Sequence, residues 1–309
     1  MPEHPVVALD IGGTSIAAAL VGPGGIDEVA TLATPAAAGP EAVIAAALEV
    51  SEQVRGKPRL RAVGIASAGV IDTDCGRVTH ATGSLTAWAG TDLAGPFAER
   101  FGVPVAVLND VHAHGLGEAR SGVGAGRSSM LLMAVGTGIG GCHVRDGEVI
   151  LGARGAAGHI GHLPVPEAQG VPCPCGRSGH LEGLASGPGI VRLAARLGAR
   201  DQHGRTPADG HALARAAAAG DDAAAEAYRI AGFATGRVVG GVLNVLDAEV
   251  VALTGGVTEA ESPWRTALDA GLAHDAMDVV AETPMLPARA GSHAALLGAA
   301  ARARDLSAT

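Results

Sequence analysis

Apolar runs rich in Val, Ile, Leu and Ala recur along this chain, and glycines break them. The first, PVVALDIGGTSIAAALV (5–21), predicts strand, turn, strand, with Gly12 and Gly13 at the break. GPEAVIAAALEVSEQV (39–54) has helical spacing. LRAVGIASAGVID (60–72) predicts a buried strand ending in a loop, and DLAGPFAERFG (92–102) a short helix with a glycine stop. VPVAVLND (103–110) is another strand, and a helix starts just after Asn109 and Asp110, both good capping types. SSMLLMAVGTGIGGCHVRDGEVI (128–150) repeats the opening design. Helical spacing then covers 182–198, 208–219 and 221–246, the run EVVALTGGV (249–257) predicts a strand, and a last helix begins near Ser292.

Two strand-turn-strand units, each followed by mixed elements, predict an α/β protein of two similar lobes with a ligand cleft between them. The Gly/Ser-rich stretch near 118–128 marks the boundary.

Composition narrows the chemistry. The chain has 309 residues, 48% of them hydrophobic but only 2% aromatic, so its core must be built from Ala, Val, Leu and Ile. A net charge of −9 argues against a nucleic-acid partner, which calls for a basic footprint. Of four cysteines, Cys75 and Cys142 stand alone and read as small buried hydrophobes in a reducing compartment. The start leads straight into an apolar strand with no signal peptide, and no apolar run reaches the ~18 residues that span a membrane; a cytoplasmic protein without a membrane partner is expected. Lys57 is the sole lysine and sits in a polar turn, RGKPRL, so Schiff-base, Walker and protein-kinase lysines are excluded.

Three glycine turns stand at the ends of buried strands: LDIGGTS (9–15), AVGTGIGGC (134–142) and TGGV (254–257). Backbone N–H groups in such turns point at phosphates, and glycine lets a phosphate approach. Each alone is equally an ordinary turn. The second satisfies G-x-G-x-x-G, but a strand follows it where a dinucleotide fold needs a helix. Asp10 would act on a phosphate through Mg²⁺ or a water, because a bare carboxylate repels it. In LND, Asp110 is placed to take a proton from a hydroxyl, with Asn109 holding a neighbouring hydroxyl; the plain alternative is that both cap the helix.

The segment GAAGHIGHLPVPEAQGVPCPCGRSGHLE (155–182) gathers His162, Cys173, Cys175 and His180 on a loop rich in turn formers. Four such ligands suit a tetrahedral Zn²⁺ site, and they would leave no open position for a hydrolytic water.

Together, LDIGGTS, GIASAG (64–69), LND, GTGIGG, GxxGxxGH (155–162), CxCGxxGxxE (173–182) and TGGV occur in the order found in the ROK family. That family of bacterial sugar kinases and related repressors belongs to the sugar kinase/Hsp70/actin superfamily, and the chain resembles it from about Val6 to the last helix. The resemblance implies a two-lobed, actin-like ATPase fold of ribonuclease H-like type. One lobe would hold 1–120 with about 291–309, the other about 121–290. It also implies ATP-dependent phosphorylation of a hexose or N-acylhexosamine, with Asp110 as general base; GHIGH with LND leans towards glucose or N-acetylmannosamine. Asp10, Gly12, Gly13, Thr14, Gly136, Thr137 and Gly138 match phosphate loops, and Gly255 and Gly256 the adenosine-side turn. Gly69, Ser84, Asn109, Asp110, His159, His162 and Glu182 match the sugar side. His162, Cys173 and Cys175 match structural zinc ligands, with His180 replacing the usual third cysteine. Family members are homodimers or homotetramers.

His159 stands where the family has a sugar-binding Glu, and Ser84 where it tends to have Asn. An imidazole cannot accept from two hydroxyls as a carboxylate does, so hydroxyl selectivity should change. The alternative is a catalytically weak, sugar-binding or regulatory ROK protein; the DNA-binding module of family repressors is not expected here. His112 and His114 are expected partly exposed on their helix; the alternative is that His112 faces the cleft.

Overall fold

The structure is a computed structural model that describes residues 4–56, 59–81 and 85–306. Lys57 and Ser84 lie outside the described residues. Strands β1 (Val6–Ile11), β2 (Ser15–Gly22) and β3 (Gly25–Ala33) open the chain. Next come α1 (Pro40–Arg55), β4 (Ala62–Ser67), β5 (Val70–Asp72), β6 (Arg77–His80), α2 (Gly95–Phe101), β7 (Val105–Asn109) and α3 (Asp110–Ser121). β8 (Ser129–Val135), β9 (Ile139–Arg145) and β10 (Glu148–Val149) form the second strand-turn-strand unit. Helices α4 (Leu181–Ala185), α5 (Gly187–Leu197), α6 (Gly210–Ala218) and α7 (Asp222–Leu246) follow. The chain closes with β11 (Val251–Thr254), α8 (Gly256–Glu259), α9 (Trp264–Asp275), α10 (Asp278–Ala281), β12 (Met285–Pro287) and α11 (Ala294–Leu306).

Packing divides the chain into two compact units. The first holds Met1–Ser129, Cys142–Gly158 and Arg289–Thr309; the second holds Met130–Gly141 and His159–Ala288.

In the first unit the sheet order is β3-β2-β1-β4-β7, with β1, β4 and β7 parallel and β1, β2 and β3 antiparallel. Side chains alternate across the sheet. Val7, Leu9, Ile11, Val63 and Ile65 share a core with Val43, Ala47, Val50 and Val54 of α1. The opposite face receives α11 at Gly64, where a Cβ would collide with the carbonyl of Ala299. Gly117 of α3 and Gly298 of α11 allow a comparable close approach between those helices. Glu118 on α3 is fully buried, and its carboxylate accepts from the backbone N–H groups of Val123, Arg289 and Ala290.

The sheet of β8 to β12 runs in the order β10-β9-β8-β11-β12, with β8, β11 and β12 parallel. In the second unit, α7 and α9 lie against each other along Gly232, Gly236 and Gly271, where any Cβ would collide with the facing backbone. As the composition predicts, the cores are mainly aliphatic, with Trp88 in one and Trp264 in the other.

Several elements depart from the expectation. β3 escapes the apolar reading because it is an edge strand with a mostly polar, exposed face. The helix expected over 182–198 breaks at Ser186, whose Oγ accepts from Gly189 N–H at 3.3 Å and starts α5 with Pro188 in its first turn. The strand expected over 249–257 stops at Thr254, because Gly255 takes φ +98° and α8 begins.

Candidate active site

In the first unit, Gly12, Gly13 and Thr14 form the turn between β1 and β2. Gly12 N–H donates to Ser15 O at 3.0 Å, and Thr34 Oγ1 donates to Gly12 O at 2.7 Å, so the turn is braced from both sides. Asp10 is the penultimate residue of β1, just before it. Its carboxyl is pushed up to about 6, first by burial and then by the charge of Asp110. Two acidic groups from different strand ends are therefore close enough to sense each other, an arrangement a divalent cation would relieve.

Asp110 opens α3. Asn109 is the cap: its Oδ1 accepts from Val111 and His112 N–H at 2.9 and 3.2 Å. Its Nδ2 donates to Gly69 O and to Asp110 Oδ1, both at 2.8 Å. The amide thus uses both donors and two acceptor positions within the protein. Capping and placement of an acid are here one arrangement. Gly69 itself has φ +102°, which favours glycine.

In the second unit, Gly136, Thr137 and Gly138 turn between β8 and β9, and Thr137 and Gly138 are exposed. Gly136 O accepts from Gly187 N–H at 2.8 Å, which ties the turn to α5. Glu182 on α4 accepts from Ile139 N–H at 2.8 Å, next to the same turn. Gly255 passes Val135 so closely that a Cβ would collide with its carbonyl, and Gly256 then opens α8.

His162, Cys173, Cys175 and His180 present ligand atoms that all lie within 4.8 Å of one another. Cys173 Sγ lies 3.6 Å from His162 Nδ1, and Cys175 Sγ 3.3 Å from His180 Nδ1. Bond lengths of ~2.3 Å to sulfur and ~2.0–2.1 Å to nitrogen in a tetrahedron separate the two ligand atoms by about 3.5 Å. The four residues therefore fit Zn²⁺. A tight turn builds the loop: Gly176 N–H donates to Cys173 O at 3.0 Å and Cys173 N–H to Arg177 O at 2.7 Å. Burial lowers the pKa of His162, against the opposing charge of Glu182, which favours the neutral ring a metal needs. His159 is exposed, and its ring stacks at 6.1 Å from that of His162.

Two expectations are corrected. His112 is only 2% exposed, because it shares the inward face of α3 with Leu116, one turn on. That i, i+4 spacing was the available sequence signal. Cys142 is buried as expected, and burial pushes its thiol far above the ordinary range, but Cys75 is exposed.

No helix among the described residues is long and apolar enough to cross a membrane. The ROK family profile matches residues 6–305. A glucokinase of Halalkalibacterium halodurans is 33% identical over 276 residues, 84% of this chain and 82% of that protein. An N-acetylmannosamine kinase of Escherichia coli O157:H7 is 32% identical over 264 residues, 82% and 84% of the two chains. The crystal structure of a ROK family glucokinase from Streptomyces griseus, in complex with glucose and AMPPNP, matches with a TM-score of 0.81 at 28% identity, covering 97% of this chain and 99% of that one. The α/β architecture is accordingly that of the actin-like ATPases. With the family profile spanning nearly every residue and relatives a third identical along most of its length, this chain belongs to the ROK family.

Proposed function

We propose that the protein is a sugar kinase that transfers the γ-phosphoryl group of ATP to a hydroxyl of a hexose or N-acylhexosamine, of the glucose or N-acetylmannosamine type. The observation that carries this reading is the pair Asp10 and Asp110, one at a glycine turn and one held at a helix start by Asn109. The kinase relatives support it independently.

Phosphoryl transfer asks the protein for positioning, charge neutralisation and a base. In this reading Asp110 accepts the proton of the attacking hydroxyl as its oxygen bonds to the γ-phosphorus, and ADP leaves with the electrons of the broken bond. Asn109 orients Asp110, and a sugar hydroxyl that reaches Asn109 displaces one of its present partners. Gly12, Gly13, Thr14, Gly136, Thr137 and Gly138 offer N–H and hydroxyl donors to phosphates, and Gly255 and Gly256 take the adenosine side. Mg²⁺ on the Asp10 carboxylate would neutralise phosphate charge. Gly69, Ser84, His159, His162 and Glu182 complete the sugar side. Zn²⁺ on His162, Cys173, Cys175 and His180 would be structural; Nδ1 of His162 faces Cys173, which leaves the other ring nitrogen for a hydroxyl. A cytoplasmic homodimer or homotetramer completes the proposal.

Asp110→Asn tests it. Phosphorylation should fall by about 10²–10⁴-fold, the usual worth of a general base, with sugar binding retained. A wild-type rate would refute the mechanism. A second reading, a sugar-binding protein with weak turnover, is favoured by His159 alone. Calorimetry with a sugar panel beside an ADP-release assay separates the two: binding without ADP production supports the second.

A further inference from the structure

His112 lies two residues after Asp110 and has no part in the chemistry above. Its buried ring is bonded through Nε2 to the carbonyl of Ala157 at 2.7 Å. A carbonyl only accepts, so Nε2 carries the proton. The N–H of Ala157 donates in turn to Leu151 O at 3.0 Å. Gly155, at φ +68°, passes β5 so closely that a Cβ would collide with Ile71 O. The stretch 155–158 is therefore packed against β5 at Gly155 and hydrogen-bonded at Ala157, within the first unit. The other end of the connection is Asn109, whose Oδ1 accepts from His112 N–H while its Nδ2 reaches Asp110 and Gly69. One hydrogen-bonded path thus joins the proposed base to the backbone that leads, two residues on, into His159.

We infer that His112 is a positioning residue: it fixes the stretch Gly155–Gly158, and with it the entry to the sugar-side histidines, to the helix that carries Asp110. The inference rests on the sugar-kinase reading. It predicts an effect on the sugar side without one on ATP, because the glycine turns are held by other hydrogen bonds. Removing the ring leaves the Ala157 carbonyl without this donor and opens space beneath the stretch.

Three variants test it, with glucose and N-acetylmannosamine binding read by calorimetry and both KM values by ADP release. His112→Ala removes ring and donor. His112→Leu keeps apolar bulk without a donor, and serves where the alanine variant does not fold. His112→Gln restores an amide N–H. The sugar Kd and KM should rise about tenfold in the Ala and Leu variants with the ATP KM unchanged, and the Gln variant should return to within about threefold of wild type. Unchanged sugar binding in the folded Ala or Leu variant overturns the inference. So does a parallel rise in both KM values, or no recovery in His112→Gln. If the unaltered chain binds sugar without turnover, the kinase reading falls while the binding measurements still decide the role of His112. If it binds neither sugar, both fall.

Discussion

Asp10 shows how a single residue couples the site to stability. Its carboxyl titrates near 3.8 in the unfolded chain and at about 6 in the folded one. The folded state therefore binds that proton more tightly, and the contribution of Asp10 to stability declines as pH rises from about 4 to about 6. Urea unfolding of wild type and Asp10→Asn at pH ~4 and pH ~6.5 should show the wild type losing on the order of 1–3 kcal/mol more than the variant across that interval. Equal losses would remove Asp10 as the cause. Asp10, Asn109 and Asp110 were legible as residue types at strand ends. What the sequence left open was whether Asn109 caps the helix or holds a hydroxyl; its Oδ1 is the cap, and its Nδ2 also donates to Asp110.

The loop from His162 to His180 behaves as one element whose order would depend on its metal. Its regular structure is slight: two short 3₁₀ turns and two isolated bridges, Pro164 with His180 and Pro172 with Ser178. Burial also pushes the Cys173 thiol up to about 11, a cost that a bound cation would offset. Cys175→Ser, at an exposed position, should lose one equivalent of zinc by elemental analysis and lower Tm by about 5 °C or more. Wild-type protein purified without zinc would contradict the metal reading. The gathering of His162, Cys173, Cys175 and His180 was readable from spacing, because short turns can bring near neighbours in sequence together. The break at Ser186 was not read, although its signals, a capping serine and Pro188, are local.

For the whole molecule, the proposed assembly has a physical footing in the second unit. Val245, Met277 and Val279 are 81%, 64% and 78% exposed. Asn244, next to Val245, donates to Asp275 O and accepts from Met277 N–H, which brings the ends of α7 and α9 together. A contiguous exposed apolar patch marks a contact surface, and the proposed assembly places these three side chains in one. Sedimentation should give a dimer or tetramer, and Val279→Asp should shift it towards the monomer. A monomeric wild type would overturn the assembly proposal.

The sequence by itself determined what depends on neighbours in the chain: the glycine turns, the strand-end acids, the Cys/His loop, the aliphatic cores and the family. Tertiary structure decided what depends on distant partners. Only packing places 142–158 with the first unit, buries Glu118 beneath the N–H groups of Arg289 and Ala290, and turns His112 towards Ala157. A side chain's type and its local spacing are written in the chain. Which carbonyl or amide it must satisfy is set by segments that only folding brings near.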